Sequence, residues 1–366
     1  MKRWIGVGLA LLLGGAVAAA IVLGNRGAKS GSGAQTTLTT LHGVIGSEKL
    51  PLFKDPTVAK LFAQHGLKVE VDTAGSRQIA TTVNLKDYDF AFPSSTPAAQ
   101  KIKGARPGTV YSPFYSPMAV ATFQPIVELL AKAGLVADSG QGYQVLDMRK
   151  YLDLVAKGTR WDALPGNTTY PARKRILLTT TDIRTSNSAA MYLAMTSYVA
   201  NGDDVVTSKD QASKVADALA PLFLDQGYSE SSSEGPFEDY LALGMGKSPM
   251  IVAYEAQYVS HLIAQDGAIR PDMRLIYPQP TVLSKHTLIA FTPKANDVGR
   301  LLTSDPELVK LEARYGFRTA DPKAFAAAAG KNAPAAVIDV VEPPAYDHLE
   351  TLIDLVQRRY LSAPRS

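Results

Sequence analysis

β-prone runs at residues 37–45, 68–72 and 88–92 alternate with runs of helical spacing at 56–65 and 76–83. This order predicts a largely parallel sheet covered by helices, an α/β architecture. Further on, residues 145–156 predict a helix and 175–180 an apolar strand, with Gly and Pro punctuating the chain between them. Residues 186–200 predict a helix that offers Ala190, Leu193, Ala194 and Val199 to one buried face. Another helix follows at 212–224, then a loop rich in Ser, Glu and Gly at 228–236 and a strand at 250–254. Residues 288–292 predict a strand. Asp305-Pro306-Glu307 opens a helix with a capping Asp, a Pro at its first position and an acidic first turn, and Gly316 closes it. Residues 349–360, with Leu352, Leu355 and Val356 at helical spacing, predict the last helix. There is no internal repeat and no sustained heptad pattern.

The start of the chain breaks this pattern. Lys2 and Arg3 precede an uncharged run at 4–24, which as a helix extends ~30 Å, enough to span a bilayer. The positive flank predicts that the rest of the chain faces outward. Ala16-Val17-Ala18 and Ala18-Ala19-Ala20 resemble cleavage sites, but Ile21, Val22 and Leu23 continue the apolar run, which suits a permanent anchor. Cleavage would instead release a secreted protein. Residues 25–36 have the Gly/Ser composition of a flexible tether.

Composition narrows the function. A chain of 366 residues has room for two lobes, and 46% hydrophobic against 20% charged residues supports real cores. A net charge of only +4, without a basic block, gives no footing to a nucleic-acid partner. The absence of cysteine removes disulfides, thiolate metal sites, thiol nucleophiles and a lipidated Cys anchor. His42, His65, His261, His286 and His348 are scattered without zinc-site spacing. No Gly-x-Ser-x-Gly elbow appears, and Gly244-Met245-Gly246-Lys247-Ser248 imitates a phosphate-binding loop but has Leu241 in place of its first Gly. No catalytic residue, metal or cofactor is expected.

Several motifs in order resemble type II periplasmic (extracytoplasmic) solute-binding proteins, above all those for molybdate, tungstate or phosphate. They are Gly46-Ser47-Glu48-Lys49, the run from Val69 through Gly75-Ser76-Arg77, and Tyr88-Asp89-Phe90-Ala91-Phe92-Pro93-Ser94-Ser95. Ser116-Pro117-Met118-Ala119-Val120-Ala121-Thr122 is similar to the first strand crossing between lobes, and residues 275–292 to the returning crossover. Trp161-Asp162-Ala163-Leu164 and Tyr315-Gly316-Phe317-Arg318 match further elements of that family. The resemblance implies a two-lobed fold with a discontinuous first lobe at 37–122 and 279–366, a second lobe at 123–278, and a ligand enclosed at the hinge. A transporter permease is the partner it implies. Arg184-Thr185-Ser186-Asn187-Ser188 departs from the Ser-Gly-Thr turn frequent in phosphate-binding relatives.

An oxyanion in a cleft needs hydrogen-bond donors, which helix starts and their hydroxyls provide. The candidate ligand-binding residues are therefore Ser47, Ser76, Ser94, Ser95, Ser186 and Ser188, each at or near a predicted helix start, with Tyr254 as a further hydroxyl. Taken singly, each serine is equally an ordinary helix cap. Arg77 and Arg184 could neutralise the anion or form salt bridges elsewhere. Glu255 would repel an anion unless it orients an Arg or meets a cationic solute. The expected function is capture of a small solute, an inorganic oxyanion, for a membrane transporter. A membrane-anchored sensing or assembly module and an extracytoplasmic hydrolase are the alternatives.

Overall fold

The computed structural model describes residues 38–226, 230–337 and 339–362; the expected anchor and tether lie outside the described residues. Among the described residues no helix is long and apolar enough to cross a membrane. The first strands are β1 (Thr39–Ile45), β2 (Leu67–Thr73), β3 (Phe90–Phe92), β4 (Thr109–Phe123), β5 (Val136–Asp138) and β6 (Gln144–Asp147). They are followed by β7 (Met250–Tyr254), β8 (Met273–Gln279), β9 (Thr281–Ala290), β10 (Arg318–Thr319) and β11 (Val340–Val341). Their spatial order is β2-β1-β3-β9-β4-β8-β6-β5, with β7 and β10 also paired to β4 and β11 to β9.

β1 pairs in parallel with β2 and β3, so all three strands end at the same edge. Their two-residue period sends Leu41, Ile45, Phe90 and Phe92 into one core, and Val44 and Ala91 into another under the helices Ser76–Thr81 and Thr96–Ala105. The 15-residue β4 joins this sheet to the next. Its first part, from Thr109 to Pro117, pairs with β9; from Met118 onward it pairs with β7 and β8. From Ser116 to Phe123 it is buried without a break, as expected of a strand covered on both faces. The largest core gathers around that second part and includes Trp161, Tyr192 and Tyr240.

Several expectations need correction. The predicted helix 145–156 begins only at Met148, because Val145 and Leu146 pair with Tyr277 and Pro278 and Asp147 caps the helix by accepting from the Lys150 N–H. Residues 175–180 form no strand and make only isolated bridges, at Arg175 to Arg160 and Thr179 to Ile251. Side chains take the donors a ladder would need: the Leu178 N–H goes to the Tyr151 hydroxyl and the Thr180 N–H to Gln226. The helix Asn187–Ala200 is buried all round except at Tyr198 and Ala200, so it runs through the core instead of covering it with one face. The predicted helix 212–224 starts earlier, at Lys209 behind the capping Ser208, and gives way to a separate turn at Pro221–Leu224. Residues 228 and 229 of the expected loop lie outside the described residues, and a helix already begins at Glu234 (Glu234–Leu243).

Residues 279–366 do not return to the first sheet as a whole. The helix Tyr346–Ser362 places Leu349, Leu352, Ile353 and Val356 in the core around Trp161, against the helix Lys209–Leu219. These four positions are the stripe that an amphipathic helix buries.

Candidate functional site

The carboxyl ends of β1 and β2 lead into Gly46-Ser47 and Gly75-Ser76, the position where open α/β sheets bind ligands. Facing them are the starts of three longer helices: Asn187–Ala200 behind Ser186, Glu234–Leu243 behind Ser233, and Glu255–Ala264 behind Tyr254. The two sets enclose a pocket of about 170 Å³. Neither Ser186 nor Ser233 caps its own helix with its side chain. The positive ends of these helix dipoles are thereby available to an anion, although two first-turn N–H groups are taken, that of Glu234 by Ser232 Oγ at 3.2 Å and that of Ala256 by Ser116 Oγ at 3.0 Å.

Hydrogen bonds hold the walls in place. The Ser47 and Ser232 hydroxyls lie 2.7 Å apart across the pocket. Asn187 donates to the Tyr254 hydroxyl at 3.0 Å and to the Ser94 carbonyl at 3.3 Å. The Ser94 N–H donates to Ser76 Oγ at 2.8 Å, and Ser284 donates to the Ser94 carbonyl. Ser186 Oγ lies 3.0 Å from Ser188 Oγ, which lies 2.8 Å from Thr181 Oγ1. Burial, followed by the charge of Glu48, pushes the Tyr254 hydroxyl far above its ordinary pKa, so it remains a donor.

Of the residues expected from sequence, Ser47, Ser76, Ser186 and Tyr254 line this pocket. Ser94, Ser95 and Ser188 are buried but supply none of its lining. The two arginines are turned away. Arg77 forms an ion pair with Glu350, with Nε to Oε1 at 3.0 Å, and donates to the carbonyls of Ile183 at 2.8 Å and Arg184 at 2.5 Å. Arg184 grips Asp182 through Nε at 2.8 and 2.9 Å. Glu255 is fully buried and is held by Arg318 through Nε at 2.9 and 3.0 Å and Nη2 at 2.9 Å, so it orients an Arg and does not face the pocket.

Sequence reasoning missed the carboxylate that does line the pocket, Glu48, together with Asn187 and the Ser231–Ser233 run. Lys49 is fully buried beside Glu48, with Nζ 2.6 Å from Glu48 Oε1, 2.8 Å from Ser94 Oγ and 3.1 Å from His286 Nδ1. Burial alone would raise the Glu48 carboxyl; the Lys49 charge and the bonds from Lys49 and Ser94 outweigh it and hold Glu48 below the usual carboxylate range. An ammonium can only donate, so His286 accepts at Nδ1 and carries its proton on Nε2. Burial and the Lys49 charge keep that imidazole neutral. Among the described residues no group of His, Cys, Asp and Glu could hold a metal ion.

No family model and no curated protein sequence matches the chain. Solved structures do. The sulfate-binding protein SubI from Mycobacterium tuberculosis H37Rv superposes with a TM-score of 0.51 at 17% identity, over 85% of this chain and 96% of that one. An ABC transporter solute-binding protein from Thermotoga lettingae TMO, bound with alpha-D-tagatose, gives 0.54 at 15% identity over 89% and 95%. Iron-bound HitA from Pseudomonas aeruginosa gives 0.50 at 12% identity over 87% and 99%. At these identities the likeness establishes the fold, a mixed α/β fold of the periplasmic-binding-protein type.

Proposed function

We propose that the chain is a binding protein, not an enzyme, that captures a small solute through an oxyanion group on the outer side of a membrane and delivers it to a transporter. The observation that carries this reading is the convergence of three helix starts and the Ser47, Ser76 and Ser186 hydroxyls on one pocket of about 170 Å³. That volume suits a tetrahedral anion, and helix dipoles can balance its charge without a guanidinium. Glu48 refines the choice. An ionised carboxylate accepts a hydrogen bond from an O–H or N–H and repels an anion that has neither. The reading therefore favours a ligand that still carries a proton over a fully ionised one.

In this proposal the lobes flank the crossings at β4 and β8–β9, and they close on the ligand because it touches both. The run at 4–24 anchors the chain with the binding fold outside. Native mass spectrometry of gently purified full-length protein tests the ligand directly. A co-purified mass equal to an oxyanion or an oxyanion-bearing solute supports the reading, and a neutral sugar in stoichiometric amount contradicts it. Protease applied to spheroplasts should remove the folded part; its protection, while an external control is cleaved, would refute the orientation.

A further inference from the structure

A second cavity of about 540 Å³ adjoins the oxyanion pocket. Glu48 lines both, and the consecutive residues Ser233 and Glu234 line one each. The two differ in chemistry. The small pocket is walled by hydroxyls and helix starts, whereas the larger one combines Phe237, Ile263, Leu311 and Tyr315 with the carboxylates of Glu48, Asp55, Glu234 and Asp266.

Two of those carboxylates are already committed. Asp55 accepts from the Thr57 N–H at 2.6 Å and from the Tyr315 hydroxyl at 3.0 Å, and Asp266 lies 2.6 Å from His261 Nδ1. Glu48 and Glu234 stand differently. All described hydrogen bonds of Glu48 fall on Oε1, leaving Oε2 without one, although the side chain is only 6% exposed. Burial pushes the Glu234 carboxyl up, and the charges of Glu238 and Glu48 push it further, against smaller opposing effects of the His261 charge and a hydrogen bond from Gln257. The two carboxylates repel one another across a partly apolar space, and a cation between them would relieve that repulsion. Arg314 and His261 are the cations on these walls, and His261 is engaged with Asp266.

We propose that the ligand is a zwitterion, with its oxyanion head in the 170 Å³ pocket and an ammonium group in the 540 Å³ pocket facing Glu234 and Glu48 Oε2. This rests on the oxyanion reading above and adds a tail of defined charge. Phe237 and Tyr315 then cover the carbon chain between the two charges.

Calorimetric titration of the full chain tests this with 2-aminoethyl- and 3-aminopropylphosphonate against propyl- and butylphosphonate, which match them in length but end in a methyl group. Inorganic phosphate serves as the head group alone. One aminoalkylphosphonate should bind about tenfold or more tighter than its alkyl match, the effect of a charge-assisted hydrogen bond. Glu234→Gln should bring that ratio toward one. Equal or weaker binding of both amines, or a ratio that survives Glu234→Gln in a folded variant, overturns the inference and leaves the oxyanion reading standing. The wild-type ratio needs no variant, so a failure of Glu234→Gln to fold does not remove the test. If neither the phosphonates nor phosphate binds, the inference falls, and the oxyanion reading falls with it only if sulfate, molybdate and tungstate fail to bind as well.

Discussion

Gly75 and Thr185 approach so closely that a Cβ on Gly75 would stand 2.5 Å from the Thr185 carbonyl oxygen. Gly75 has an extended backbone, φ −61° and ψ 142°, that any residue adopts, so the contact alone demands glycine. Since Gly75 lines the pocket and Thr185 precedes Ser186, this approach brings the two walls together.

Gly75→Ala is therefore expected to hold the walls apart. Overpacking of ~1–3 kcal/mol corresponds to a loss of affinity of about fivefold to over a hundredfold. Gly104→Ala, whose Cβ would meet nothing within 4 Å, is the control and should leave affinity unchanged. Calorimetric titration of both variants, with thermal melts alongside, separates closure from stability.

Breaking the Glu255–Arg318 pair should affect folding and not recognition. Arg318→Met leaves a buried carboxylate without its partner, a change that costs about 3–5 kcal/mol. Arg318 also donates to the carbonyls of Pro334 at 2.7 Å and Ala335 at 2.9 Å, so the segment before β11 should loosen as well. Urea denaturation should show the loss, while the folded fraction keeps its ligand affinity. A changed ligand preference would return Glu255 to the site.

Glu312 predicts a pH dependence. It is fully buried, and neither carboxyl oxygen has a hydrogen-bond partner. Burial, with a smaller contribution from the Asp305 charge, raises its pKa well above the ordinary value. The folded chain then holds a proton that the unfolded chain has released, so stability falls as pH rises from the unfolded pKa toward the folded one. Glu312→Gln removes the titration and should flatten this decline. Denaturation midpoints of both proteins across pH 4–8 check it; parallel slopes would show that Glu312 is not the group responsible.

What was legible in the sequence was local. β1, β2 and the helix behind Asp305 follow from residue pattern and capping chemistry, and the hydroxyls of Ser47, Ser76 and Ser186 follow from their place at helix starts. What was not legible depends on long-range contact. As two adjacent charged residues Glu48-Lys49 carry no local sign of burial, and only the burial of Lys49 beside Ser94 and His286, the latter 237 positions away, makes the pair part of the site. Ser232 lies in a Ser-rich loop and gains meaning by reaching Ser47 across 185 positions. Arg77 looked like an anion partner beside Ser76, but Glu350, 273 positions on, claims its guanidinium.

The most direct test of the central claim is calorimetric titration with phosphate, sulfate, molybdate and tungstate, and with the phosphonates above, of the wild-type chain and of Ser186→Ala. Ser186 is the cleaner probe because its hydroxyl caps no helix, whereas Ser76 Oγ holds the buried Ser94 N–H and its loss would also lower stability. The account predicts one-to-one binding of at least one of these anions. It predicts that Ser186→Ala weakens that binding by about twofold to tenfold, the worth of one neutral hydrogen bond, with little change in melting temperature. Binding of none of these anions, or an affinity untouched by Ser186→Ala, would contradict it.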